Sequence, residues 1–573
     1  MNKILAFVFL VMLSSLCGKA QQFEWASAGS NLNAGFKASA IDKKGNIIVA
    51  GYAFLPFDMY AGASWLHNSA GDSMEIETEN KPLLIISYDP SGRINWKREV
   101  WRTDGEFIGI DINDKSQVVV LASTDVRGRA YFPELKIAID EPNQYFLYTL
   151  DEQGEPLSVV ADTNNIIESP TSFYVTEGNN CVITGDKYTE EDNHRQCCIY
   201  ILKSNQRLQP VWEKRITNKE CHGFFIPSCR ADIADNGDIY LCTSLQTGAN
   251  FGKNFSFTAP VVDSVTQYNP PFEAYLACYS KNGDIKWVKR SGGKSIFHAI
   301  KVTGNSVVLG GVALNNAVFF GKKIDTSQDR KMILASFDSR GNIQWATTTP
   351  AEKITAIATD QDNNIYAVVN SKTSTILYET DTLRNIFETL VIASYTGNGR
   401  FRWVKDSGVP MNSDISPQLK TDGCGNMYVS GEMWFTLKGK LKWFDAAFVK
   451  GDGYGSTPFI ARLKNTLPNN IAEKITHQKG KCVISPAPWT IYNYPNPFSS
   501  TTTIQYKTTY DDNRVSLSVY DISGKFLTTL LDNKSVKAGT YTIPFSAAVI
   551  AKGVYIVVLK GTEAVATARM LVL

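Results

Sequence analysis

Ile86-Ser87-Tyr88-Asp89-Pro90-Ser91-Gly92-Arg93-Ile94-Asn95-Trp96 reads as an apolar strand, a tight turn and a second strand that carries Trp four residues after Gly. The Asp-x-x-Gly turn supplies the positive φ that a hairpin needs, and alternation beyond it sets the Trp on one face of the outer strand. Gly283 precedes Trp287, Gly341 precedes Trp345 and Gly399 precedes Trp403 at the same spacing. Gly154 leads instead to Ser158, and another copy ends in Trp212 without its Gly. A second hairpin alternates with these: Ala40-Ile41-Asp42-Lys43-Lys44-Gly45-Asn46-Ile47-Ile48-Val49-Ala50-Gly51, repeated from Ala231 to Tyr240. Related turns stand at Lys115-Ser116, Gly178-Asn179, Gly304-Asn305, Asn363-Asn364 and Gly425-Asn426. Seven copies at a spacing of about 60 to 70 residues, each with two hairpins, predict seven four-stranded sheets.

The seventh copy runs from Gln418 to Lys464 and lacks its Trp strand. The missing strand stands at the other end of the chain, where Phe23-Glu24-Trp25-Ala26-Ser27-Ala28-Gly29 matches the segments that begin at Trp287 and Trp403. An N-terminal strand that completes the last sheet closes a ring and leaves no open edge. The expectation is an all-β chain: a seven-bladed β-propeller over residues 21–466, a polar linker over 467–490 and a small Ig-like antiparallel β-sandwich over 491–573. The repeats resemble the bacterial seven-bladed propeller repeat family, in which a Tyr-Asp-x-x-Gly-x-x-x-Trp strand pair alternates with an Asp-x-x-Gly-Asn pair, and blades two and three depart most from that pattern.

The C-terminal block opens with Tyr494-Pro495-Asn496-Pro497-Phe498 and continues with Val515 to Tyr520, the turn Asp521 to Lys525 around Gly524, Ala538-Gly539-Thr540-Tyr541 and Gly553-Val554-Tyr555. In that order these segments resemble the type A sorting domain of the type IX secretion system of Bacteroidetes. The resemblance implies the secretion machinery as a partner, passage across the outer membrane, removal of the domain and a propeller on the cell surface or outside the cell. The start of the chain agrees with export: a basic Met-Asn-Lys, the apolar run Ile4 to Leu13 and small residues before Ala20 read as a signal peptide over residues 1–20, cut between Ala20 and Gln21. That run is too short to span a bilayer, and no other apolar stretch is long enough, so no transmembrane segment is expected.

At 573 residues the chain exceeds one hydrophobic core. Its net charge of +2 falls to 0 once Lys3 and Lys19 leave with the leader, which gives no reason to expect a nucleic-acid partner. Of ten cysteines nine remain after Cys17 is lost, an odd number. Cys221 with Cys229 is the pair expected to form a disulfide first, and Cys242 and Cys278 read as buried thiols.

No catalytic, cofactor-binding or metal-ligating set emerges. The five His form no pair of metal-ligand spacing, and Asp360-x-Asp362-x-Asn364 has Ser371 where a calcium loop needs Glu, so it reads as a capped turn. Ser87-x-Asp89-x-x-Gly92-x-x-x-Trp96 resembles a sialidase Asp-box lengthened by two residues, and its Asp and Trp read as turn cap and blade wedge. Adjacent Cys197-Cys198 resemble a feature of quinoprotein dehydrogenases but start an apolar strand without a haem motif. Long insertions at Phe54 to Lys81, Gln246 to Phe272 and Trp434 to Pro458 fall between second and third strands, so alternation brings them to one rim with Trp65, Tyr268, Trp434 and Trp443. The function read from this is binding of a glycan or protein ligand on the long-loop rim, without enzymatic activity. The alternative is a secreted enzyme, a glycoside hydrolase or lyase before a quinoprotein dehydrogenase.

Overall fold

A computed structural model describes residues 23–30, 33–54, 64–68, 73–76, 82–100, 107–124, 128–191, 194–218, 228–245, 248–252, 254–258, 273–314, 318–323, 330–349, 353–370, 375–378, 381–384, 389–410, 417–422, 425–435, 439–443, 447–451, 455–464, 489–508, 511–521, 525–561 and 565–573. The chain divides between Cys482 and Val483 into two compact units.

The first unit is a seven-bladed β-propeller. Blade one pairs Asn33–Ile41, Ile47–Phe54, Leu83–Tyr88 and Ile94–Val100 in sequence order. Blade two uses Phe107–Ile112, Val118–Ser123, Tyr145–Leu150 and Pro156–Ala161, and blade three Pro170–Thr176, Asn180–Glu191, His194–Ser204 and Pro210–Asn218. Ser228–Ile233, Ile239–Leu245, Glu273–Tyr279 and the start of Ile285–Thr303 make blade four. That last strand runs on past Lys294 to pair with Ser306–Leu314, so it is also the inner strand of blade five, with Arg330–Asp338 and Ile343–Thr349 outside it. Blade six is Lys353–Thr359, Ile365–Asn370, Thr389–Tyr395 and Phe401–Pro410. Gln418–Thr421, Met427–Phe435 and Gly455–Leu463 form blade seven, and its fourth strand is Phe23–Ser30, with Trp25 opposite Arg462 and Ala28 opposite Phe459.

Each inner strand lies against the inner strands of the blades on either side, from Asn33–Ile41 round to Gln418–Thr421 and back, which closes the ring. Every sheet therefore buries both faces, and seven apolar cores fill the seven gaps between blades. At the short-turn end, five gaps carry one repeated device. Trp25 lies over Gly92, Trp96 over Gly154, Trp212 over Gly283, Trp287 over Gly341 and Trp345 over Gly399, each from the outer strand of one blade onto the turn of the next. Four of these indoles also donate Nε1–H to the turn carbonyl two residues before the Gly, at 3.0 Å to Pro90, 3.1 Å to Glu152, 3.1 Å to Ser339 and 3.0 Å to Gly397. Gly is required twice over: φ at Gly92 is +87°, and a Cβ there would lie 2.5 Å from the Trp25 ring. Trp403 is the exception that the seam produces. The first and last strands of the ring meet where its turn would stand, and its buried Nε1, like that of Trp212, has no acceptor among the described residues.

The opposite end of the gaps is sealed by the insertions. Ser64–Asn68, from blade one, pairs with Phe23–Ser30 and makes a hairpin with Ser73–Ile76, so the N-terminal strand is clasped on both edges. Phe132, Phe251 and Phe319, from the insertions of blades two, four and five, are buried in the cores shared with the preceding blade. Cys229 corrects an expectation: it is a free thiol on an inner strand, fully buried and pushed up to about 12 by that burial, while Cys221 lies outside the described residues. Cys242 and Cys278 are buried free thiols.

The second unit packs a sheet of Thr490–Tyr494, Thr501–Thr508 and Gly539–Ser546 on a sheet of Phe526–Val536, Asp512–Asp521, Gly553–Lys560 and Val565–Val572 around its own core. Asn496 ties the opening motif to the last strand, accepting from Leu571 N at 2.9 Å and donating to Arg569 O at 2.7 Å. Tyr541 stacks on Tyr506 and donates to Lys537 O, Tyr555 donates to Ala551 O, and Gly524 lies outside the described residues.

Two glycines with nearly the same φ separate backbone strain from the wedge. At Gly45, with φ +83°, a Cβ would meet only the Pro90 ring, at an ordinary contact distance of 3.5 Å. Gly45→Ala should cost about 1 kcal/mol from φ alone, and Gly92→Ala about 2 kcal/mol more because Trp25 must leave its seat; urea unfolding of both variants measures the difference.

Candidate functional site

Two places gather chemistry, the long-loop rim and the axis of the ring. On the rim, the aromatics singled out from sequence converge mainly on the seam. Trp65 is half-buried on the strand Ser64–Asn68, whose residues pair with Phe23–Ser30. Trp443 ends the first strand of the hairpin Gly439–Trp443 with Ala447–Gly451, and the second of those strands lies against the same N-terminal strand. Trp434 is near the end of blade seven's second strand, opposite Ser456. Tyr268 lies outside the described residues.

Two buried acids of the described rim, Glu432 and Glu273, are held structurally. Glu432 of blade seven receives Lys37 Nζ at 2.9 Å and the Tyr52 hydroxyl at 2.7 Å, both from blade one, and Gly35 leaves room for it: a Cβ there would stand 2.6 Å from Oε2. Glu273 of blade four takes the Tyr275 hydroxyl at 2.9 Å and faces Arg290 at 3.8 Å. Each carboxylate thus has a cation and a phenol, and the two sit on opposite blades rather than as a pair flanking one bond. Among the described residues no three His, Cys, Asp or Glu side chains converge to hold a metal ion.

The axis holds charge that periodicity did not announce. Asp111, Asp232, Lys301 and Lys420 lie on the inner strands of blades two, four, five and seven, yet interact with one another, which blades so placed can do only across the centre of the ring. Asp232 Oδ2 accepts from Lys301 Nζ at 2.8 Å and from Val302 N at 2.7 Å. Asp111 accepts from Ile112 N and Val175 N, and burial still pushes its carboxyl above the ordinary range. Burial works against the Lys301 ammonium, but Asp232 outweighs it and the group is raised. Lys420 is pushed down by burial and by Lys301, against the pull of the two aspartates. From blade three, Tyr174 donates to Ala231 O at 2.6 Å and walls the cluster. The Asp232–Lys301 pair joins blades four and five, and Asp111 joins blades two and three through Val175 N.

A comparison with known families bears on the second unit. Residues 492–573 match the family described as the secretion system C-terminal sorting domain. The sandwich is therefore a sorting domain of the type IX secretion system, which directs export to the cell surface or the extracellular space. No helix among the described residues is long and apolar enough to cross a membrane. The chain matches none of the curated proteins. Among solved structures, similarity extends to the Dos1 propeller (8% identity, 78% of this chain and 96% of that one, TM-score 0.36). It extends also to a Trypanosoma rangeli sialidase (9%, 84% and 86%, TM-score 0.32) and a Bacteroides caccae protein of unknown function (12%, 57% and 94%, TM-score 0.29). Alignments this loose say nothing of function, and the propeller stands on its own strand pairing.

Asp232→Asn keeps the shape but leaves Lys301 without its carboxylate. It should lower stability by about 2 kcal/mol, read as a shift in the urea midpoint without a change in slope.

Proposed function

We propose that the propeller is a non-enzymatic binding module that works outside the cell and takes a glycan or protein ligand on its long-loop rim. The observation that supports this most is that two Trp-bearing hairpins, with Trp65 and Trp443, both reach the N-terminal strand. Aromatic side chains on loops held by a rigid scaffold are a common basis for recognition, because they bury area at little entropic cost. Here the scaffold is rigid because the strand that both hairpins reach is paired on both edges. Arrays of glycans and extracellular proteins probed with the full chain should return a ligand that Trp65→Ala with Trp443→Ala binds at least about tenfold more weakly at unchanged melting temperature. Equal binding by that variant would remove the seam from the reading.

The sorting domain supplies the route. We infer cleavage in the segment between about Leu467 and Tyr492, leaving the ring at the surface, since the ring and the sandwich have separate cores and neither needs the other to fold. A chain truncated after Lys464 should accumulate folded in the periplasm. Cell fractionation checks this, and normal surface amounts of the truncated chain would refute it.

A further inference from the structure

One gap between blades is built differently from the rest. Ser158 stands opposite Thr149 in the register that Trp96 holds opposite Ser87, Trp287 opposite Cys278 and Trp345 opposite Ser336. The gap it faces, between blades two and three, thus has no indole at its short-turn end. The turn it faces has changed with it. Leu208 occupies the left-handed position at φ +57°, closing the same turn by donating to Asn205 O at 3.0 Å. A side chain is possible there only because no ring lies over it, and Leu208 is buried in the core of that gap. It fills part of the vacated space. A cleft of about 310 Å³ remains, at the small end of ligand-sized pockets.

The lining of that cleft gives its chemistry. Val119, Leu147 and Val160 form an apolar wall, while Lys115 and Arg207 bring two cations from the turns of adjacent blades and no acidic side chain lines it.

We propose that this gap is a binding site for a small carboxylate with an apolar body, of the size of an indole acid. Its apolar body lies against Val119, Leu147 and Val160, beside rather than over the turn that Leu208 closes, and its carboxylate lies between Lys115 and Arg207. The site is on the short-turn rim, away from the insertions, so it is independent of the ligand proposed for the long-loop rim.

Indole-3-propionate titrated into the full chain, followed by ligand-observed saturation-transfer NMR, tests this. Saturable binding is expected, with neutral 3-methylindole about tenfold weaker. Lys115→Ala with Arg207→Ala, both on exposed turns, should bring the acid down to the level of 3-methylindole. Ser158→Trp with Leu208→Gly rebuilds the latch and should abolish binding while raising the melting temperature. No saturable binding by the parent chain, or binding retained by the rebuilt latch, overturns the proposal. If the rebuilt chain fails to fold, the surface pair decides: acid binding unchanged by loss of both cations overturns it equally.

Discussion

A tryptophan lying over the backbone of the next blade's turn is the contact on which the ring depends. Blades diverge outward from the axis, so the space between them widens toward the outer strands, and small inner residues alone would leave it void. An indole is wide and flat enough to fill that space, and its N–H fixes it by one hydrogen bond to the neighbour's main chain. Because the acceptor is backbone, the turn sequence can drift while the latch persists. What cannot drift is the Gly beneath the ring.

This explains why so much of the fold was legible. Gly and Trp four residues apart encode two facts at once, a left-handed turn that receives a ring from the blade before it and a ring that reaches the blade after it. Four such pairs mark four blades, the turns of the alternating hairpin complete the count of seven, and the stray copy at Trp25 located the seam. The two expected departures, blades two and three, are physically the same departure, since Ser158 and Leu208 face each other across one gap. Reading each blade alone separated them.

The rest was hidden for identifiable reasons. Asp111, Asp232, Lys301 and Lys420 meet only because closure brings distant blades together, and each alone looks like a solvated residue at the end of a strand. The insertions carried no repeat of their own, so their role in sealing the gaps followed from pairing that no local pattern displays, as with Ser64–Asn68 against Phe23–Ser30. Cys229 looked available for a disulfide because the strand Ser228–Ile233 begins without a turn signal, and inner strands this short offer little alternation to recognise.

The clasp around the N-terminal strand also sets an order in time. Glu24 and Arg462, ion-paired across the seam, are 438 positions apart, so closing that loop in an unfolded chain costs about 5 kcal/mol of chain entropy. A chain synthesised from its first residue onward offers Phe23–Ser30 long before Gly455–Leu463 arrives. The hairpin from blade one can hold the early strand by one edge in the meantime, as a placeholder rather than a lock. Ring closure is then the last event of folding, and every intermediate before it is an open arc with a raw sheet edge at each end, the period in which this protein is most exposed to pairing with its own copies.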